Sequence, residues 1–297
     1  MTNNIGNLSY VLITPARNEE HNIGRVIESV LAQTVLPLRW VIVSDGSTDN
    51  TDNIVKSHQR QHPWIEFIRM PEHRDRHFAA KAKCFNSGYD KVKGLNFHVI
   101  GNLDADISFK GDYFKFLIGK FISDPQLGVA GTPFVEDGKQ YDYRFTNIEH
   151  VSGACQLFRR ECFEEIGGYL PIKGGGIDWV AVTTARMQGW KTQTFTDKSC
   201  VHHRKMGTGN TSHIMIWFRQ GRKDYILGNH PLWEVFRSCY QMTKRPFIIG
   251  GGLLLIGFLA EALKKTTRPI PCRLVEFVRK EQMQRLQNAL RLGLFRK

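Results

Sequence analysis

From Tyr10 to Leu103 the chain alternates short apolar runs with longer segments whose apolar residues recur every three or four positions. Tyr10 to Thr14, Trp40 to Val43, Ile65 to Met70 and Phe97 to Leu103 are rich in β-branched and aromatic residues, and each predicts a strand. Asn22 to Gln33 places Ile23, Val26, Ile27, Val30 and Leu31 at helical spacing; Asp49 to Gln61 and Ala79 to Val92 likewise predict helices. Further on, Val180 to Gln188 predicts a helix and Lys191 to Phe195 a strand. Strands alternating with helices predict an α/β fold, a mostly parallel sheet with helices on both faces.

Ligands of such sheets bind beyond the carboxyl ends of the strands, and three of those ends carry polar clusters. Pro15-Ala16-Arg17-Asn18-Glu19 follows the first strand, Ser44-Asp45-Gly46-Ser47-Thr48-Asp49 the second, and Asp104-Ala105-Asp106 the fourth. Residues two apart on a strand project to one side, so Asp104 and Asp106 can face one point. Two carboxylates there fill part of the oxygen shell of a divalent cation and leave room for water and substrate phosphate. Taken alone, Asp-Ala-Asp also fits an ordinary turn. Ser47, Thr48 or Asp49 fits a cap on the helix after the second strand, and Asn18 a cap near Asn22. Gly46 lets backbone approach a ligand closely.

Composition narrows the partners. With 41% hydrophobic and 23% charged residues the chain is that of a folded protein, but its net charge is +13. An excess of that size implies an anionic partner: nucleic acid, an anionic membrane or a phosphorylated substrate. Much of it sits late, since Lys264 to Lys297 holds ten Lys and Arg against two Glu. The six cysteines show no Cys-x-x-Cys spacing and read as reduced thiols of a cytosolic chain. Met1 to Ser9 lacks the apolar stretch of a secretory signal.

The chain changes character near His213, which predicts two domains, 1–212 and 213–297. Phe247 to Ala260 is an uncharged run of 14 residues between Lys244-Arg245 and Lys264-Lys265. As a helix it would cover about 21 Å, too little to span about 30 Å of hydrocarbon. The flanking cations favour an interfacial or re-entrant segment over a buried core helix. After Pro271, Leu274, Val275, Val278, Leu286, Ala289 and Leu290 recur between Arg and Lys, as in a basic interfacial helix. An anionic membrane surface, at the cytoplasmic face of the cell membrane, is the expected location.

Thr14 to Glu20, Ser29 to Thr34, Val43 to Asp49 and Leu103 to Asp106 resemble, in order and spacing, the blocks of family 2 glycosyltransferases, nucleotide-sugar enzymes of GT-A fold. The resemblance implies that Pro15, Ala16, Arg17 and Glu19 line the nucleotide pocket. It places Asp45 on the nucleobase, Asp104 on ribose or metal, and Asp106 on a Mn²⁺ or Mg²⁺ ion. Arg17 stands where many relatives carry an aromatic residue and Ser44 where many carry a second acid. Val151 to Cys155, Arg159-Arg160 and Ile166 to Tyr169 resemble the acceptor side, where Gly153 and Ala154 would pass close to the sugar. Asp178 is the implied general base, with Ile177 where relatives carry Glu; from sequence alone Asp178 also fits a helix N-cap.

The resemblance implies inverting, hexosyl-type transfer of one sugar to a hydroxyl acceptor, lipid-linked or glycan, in cell-surface polysaccharide or glycolipid synthesis. The Gln-x-x-Arg-Trp segment of processive members is absent, which favours single addition. His202 and His203 fit a metal or diphosphate contact as well as they fit two surface histidines. Two rival classes are a noncatalytic membrane scaffold and a nucleic-acid-binding protein. The second would place its cations among exposed aromatics, whereas these flank an apolar run, so no nucleic-acid partner is expected.

Overall fold

The computed structural model describes residues 8–72, 78–136, 139–140, 147–204 and 213–291, and it divides into two compact units, Met1–Lys205 and Met206–Lys297. In the first unit the order is β1 (Tyr10–Ala16), α1 (Ile23–Leu31), β2 (Arg39–Ser44), α2 (Thr51–Gln61), β3 (Ile65–Arg69), α3 (Phe78–Val92), β4 (Val99–Leu103), β5 (Ile107–Ser108), α4 (Tyr113–Ser123), β6 (Leu127–Gly131), β7 (Phe134–Glu136), β8 (Lys139–Gln140), β9 (Cys155–Arg159), α5 (Arg160–Glu165), α6 (Ile177–Met187), β10 (Lys191–Thr194) and β11 (Cys200–His202). Each strand and helix expected from periodicity is present, with its ends shifted by a few residues.

Seven strands form the main sheet in the order β10-β6-β9-β4-β1-β2-β3. All neighbours run parallel except β9, which is antiparallel to both β4 and β6. The central strands are mostly apolar and buried along nearly their whole length because both faces are covered. Leu12, Trp40 and Ile42 pack with Ile23, Val26, Ile27 and Val30 of α1 and with Phe114 and Leu117 of α4. Ile13 and Val43 have the opposite parity and meet α3, so closely that a Cβ on Gly88 would lie 2.6 Å from the Ile13 side chain. A second, four-stranded sheet runs β5-β11-β7-β8.

Among the described residues the second unit holds four helices, α7 (His213–Ile226), α8 (Pro231–Met242), α9 (Ile249–Leu263) and α10 (Cys272–Arg291). The division falls between Lys205 and Met206, a few residues before the expected boundary at His213, where α7 begins. α9 packs on its neighbours through glycines: a Cβ on Gly257 would stand 2.1 Å from the Phe218 carbonyl oxygen, and one on Gly251 2.2 Å from that of Ser238. A buried polar network joins the other helices. Asp224 pairs with Arg237 at 2.7 Å, Asn229 donates to Glu234 at 3.1 Å, and Gln282 donates to Asn229 at 2.7 Å. Among the described residues no helix is long and apolar enough to cross a membrane.

Candidate active site

The order β4-β1-β2 sets the three polar strand ends side by side. The loops after β1 and β2 then interlock. The Asn18 amide donates to Ser47 Oγ at 3.1 Å, Glu19 N to Thr51 Oγ1 at 2.7 Å and Glu20 N to Asp49 Oδ2 at 3.0 Å. Capping is therefore only part of what these residues do. Asp49 does accept the Thr51 amide at 3.0 Å, but Asn18 turns away from α1 to accept the Thr48 amide at 2.9 Å. Gly46, at φ +63°, has its close neighbour in the backbone of the chain itself, Glu72 Cα, 2.8 Å from where its Cβ would be. Below it, Arg17 Nη1 lies 3.4 Å from Asp45 Oδ2, and the Cys84 thiol donates to Asp45 Oδ1 at 3.4 Å. Pro15 and Ala16 end β1 in register with Val43 and Ser44.

Asp104 and Asp106 leave β4 on one side, and the small sheet delivers a third donor to them. β11 pairs antiparallel with β5, opposing His202 to Ile107. His202 Nε2 comes to 3.5 Å from Asp106 Oδ1, both side chains being about one-tenth exposed. One ligand atom each from Asp104, Asp106 and His202 lies within 4.8 Å of the others. Two carboxylate oxygens and one imidazole nitrogen fit part of the shell of a Mn²⁺- or Mg²⁺-sized dication. The electrostatics agree: burial and the adjacent Asp106 push the Asp104 carboxyl above its usual range, and a cation would relieve that strain. His203 takes the other course, bonding Ser108 Oγ at 2.8 Å, with burial and Arg25 holding its pKa down.

Two cations that periodicity does not single out close the site. Lys81, from α3, forms an ion pair with Asp104. Burial works against its charge, but Asp104, Asp178 and Asp106 together hold its pKa above the ordinary lysine value. Arg204 places Nη2 2.8 Å from Glu19 Oε1 and Nε 4.0 Å from Asp106 Oδ2. Glu19 also accepts from the Asn22 amide at 2.9 Å, yet burial, with Asp106 nearby, pushes its carboxyl up to about 7. Arg204 thus links the β1 cluster to the β4 cluster. Neither residue sits in a sequence pattern: Lys81 is a lone cation between Ala80 and Ala82, and Arg204 follows two histidines.

Asp178 lies in the first turn of α6, whose N-cap is Gly176 at φ +87° with no side-chain cap. The capping role open to Asp178 in the sequence is not the one it takes, and a carboxylate in a first turn is favoured by the helix dipole. Gly153 gives it room: a Cβ there would stand 3.0 Å from Asp178 Cβ and Oδ2. The missing side chain at Gly153 is thus accounted for by the carboxylate, before any sugar is considered. The Asn102 side-chain amide binds the Gly153 carbonyl at 2.7 Å and Asp104 Oδ1 at 3.5 Å, while Asp104 N donates to Ala154 O at 2.9 Å. Asp178 and Asp104 are therefore fixed on adjoining pieces of one backbone-bonded frame.

Residues 11–167 match glycosyl transferase family 2. Among curated proteins, the poly-β-1,6-N-acetyl-D-glucosamine synthase of Staphylococcus epidermidis is 24% identical over 170 residues, 50% of this chain and 39% of that protein. The synthase of the same name from Staphylococcus aureus (strain COL) is 29% identical over 136 residues, 46% of this chain and 31% of that protein. The chain thus spans less than two-fifths of the length of these relatives. Among solved structures, the mannosyltransferase PcManGT of Pyrobaculum calidifontis, in complex with GDP-Man and Mn²⁺, superposes with a TM-score of 0.58 over 98% of this chain and 81% of its own, at 17% identity. S. aureus TarS 1-349, in complex with UDP-GlcNAc, gives 0.57 over 86% and 73%, at 14% identity. These likenesses establish a shared GT-A-like fold. Because the matched segment takes in β1, β2 and β4 with the polar rim at their carboxyl ends, and covers more than half of the 297 residues, the chain belongs to glycosyl transferase family 2.

Proposed function

We propose that this protein transfers one hexose-type sugar, with inversion, from a nucleotide-diphosphate sugar to a hydroxyl of a lipid-linked acceptor. The reaction would take place at the cytoplasmic face of the cell membrane, in cell-surface polysaccharide or glycolipid synthesis. The observation that carries the reading is geometric: ligand atoms of Asp104, Asp106 and His202 lie within 4.8 Å of one another, and Asn102 bonds both Asp104 and the carbonyl of Gly153, the residue that makes room for Asp178. The carboxylates suited to a cation and the carboxylate suited to a base therefore sit on adjoining parts of one rim.

In this reading Asp45, Arg17, Pro15, Ala16 and Glu19 hold the nucleotide and Asp104 its ribose. Asp106, Asp104 and His202 would hold Mn²⁺ or Mg²⁺, which when bound supplies charge neutralisation for the leaving diphosphate. Asp178 takes the proton from the acceptor hydroxyl as the bond to the anomeric carbon forms, a general-base contribution of roughly 10² to 10⁴ in rate. One such carboxylate suffices for direct displacement, which inverts the carbon. Arg204 and Lys81 keep positive charge beside the diphosphate position and prevent Asp104, Asp106 and Glu19 from repelling one another. The UDP-GlcNAc complex of TarS and the GDP-Man complex of PcManGT support trying UDP- and GDP-sugars first; the absence of Gln-x-x-Arg-Trp supports addition of a single residue.

The test is a donor panel. UDP-, GDP- and dTDP-sugars are added to purified protein with Mn²⁺ or Mg²⁺, and the melting temperature and sugar transfer are recorded. One nucleotide class should raise the melting temperature only with metal present. If none does, and none is turned over, a noncatalytic role takes its place.

A further inference from the structure

The faces of α9 differ from those of an ordinary surface helix. Such a helix turns its large apolar side chains inward and its charges outward. Here the inward face consists of Gly250, Gly251, Leu254, Gly257, Phe258 and Glu261. Glu261, the helix's one charged residue, is 2% exposed and pairs with Arg222. The outward face carries Ile249, Ile256, Leu259 and Leu263 at helical spacing, between 47% and 84% exposed, and Phe247 and Ile248 continue it at 57% and 71%. Small residues between helices and aliphatic residues outside are the arrangement of helices surrounded by lipid.

Two further observations choose the occupant and its geometry. Exposed cations stand at both ends of the helix, Lys244 and Arg245 before it, Lys264 and Lys265 after it. Fifteen residues reach about 22 Å, and no described helix can cross a bilayer. A helix lying in the membrane plane holds both ends at headgroup depth, where cations meet lipid phosphate. A spanning helix would put its two ends at opposite surfaces, and a protein partner gives no reason for cations at both ends of an uncharged face.

We propose that the outward face of α9, with Phe247 and Ile248, is an in-plane anchor that seats in the surface of an anionic bilayer. It inserts Phe247, Ile249, Ile256, Leu259 and Leu263 among the acyl chains and sets Lys244, Arg245, Lys264 and Lys265 against lipid phosphates. This gives the membrane placement proposed above a defined surface, and it does not depend on the donor chemistry.

The experiment is sedimentation of the full chain with phosphatidylcholine vesicles with and without phosphatidylglycerol. The chain should pellet with anionic vesicles at low salt and remain partly bound in about 0.5 M NaCl, where surface charges are screened beyond a few ångströms. Ile256→Ser/Leu259→Ser should lower vesicle binding at least about tenfold with an unchanged melting temperature. Lys264→Gln/Lys265→Gln should remove the salt-sensitive part. Asp106→Ala should bind vesicles like the parent, whether or not the glycosyltransfer reading stands. A parent chain that stays in the supernatant with anionic vesicles overturns the proposal, and so does a serine double variant that binds undiminished. Light scattering that shows a dimer dispersed by the serine variant, without vesicle binding, would assign the face to a second copy instead.

Discussion

β4 of the first unit buries Val99, Ile100 and Leu103 completely and delivers two carboxylates to an open rim; α9 of the second unit turns its one carboxylate inward and leaves Ile256 and Leu263 more than half exposed. Both obey the same physics. Apolar surface is placed away from water, and charge is placed where a partner neutralises it. In the first unit the core is the apolar medium, and the rim carboxylates are paired with Lys81 and Arg204. In the second, Arg222 and Arg237 pair with acids internally, and the exposed apolar face of α9 is the one proposed to meet lipid.

The largest effect expected from breaking this contrast is at the rim. Asp106→Ala should remove metal-dependent donor binding and cost several kcal/mol in the transition state, about 10³-fold or more in transfer rate. The fold should persist, since the carboxylate contributes little to the core. Circular dichroism and donor titration with and without Mn²⁺ check both halves. Transfer that survives without metal would sink the assignment. Asp178→Asn should keep donor binding and lose roughly 10²-fold or more in transfer, read as a fall in kcat with little change in donor affinity. Full turnover would move the base elsewhere.

A smaller effect separates the two faces of α9. Gly257→Ala forces a methyl toward the Phe218 carbonyl and should destabilise by about 1 to 3 kcal/mol. Gly252→Ala meets nothing within 4 Å and should stabilise by up to about 1 kcal/mol through helix propensity. Opposite shifts in denaturation midpoint, five residues apart on one helix, would show that packing decides the first and propensity the second.

The last comparison is between two buried acids. Burial pushes Glu19 in the first unit up to about 7, and burial with the neighbouring Asp224 does the same to Glu234 in the second. A carboxyl raised from about 4.5 favours the fold in its neutral form. That stability is fully present below about pH 4.5 and is lost as pH rises through about 7, at most roughly 3 kcal/mol for each group. Glu19→Gln and Glu234→Gln should each flatten part of the decline between pH 5 and 8 in denaturant titrations. Mn²⁺ with donor should flatten the Glu19 part alone, because Glu234 lies in the other unit.

The sequence by itself determined the alternation of strands and helices, the three polar strand ends and the resemblance carried by the blocks around Arg17, Asp45 and Asp106. Strand and helix periods are local: a run of β-branched residues or a three-to-four spacing states its own conformation, and the polar residue that ends it states where the rim begins. It did not determine which distant groups would face that rim. His202 reaches Asp106 only because β11 pairs with β5, Lys81 reaches Asp104 from α3, and Gly153 serves Asp178 across a backbone frame that no spacing encodes. Nor could an apolar run with Glu261 just beyond its end disclose which side of α9 would meet solvent. Those outcomes rest on pairing and packing between residues far apart in sequence, and only the tertiary structure decided them.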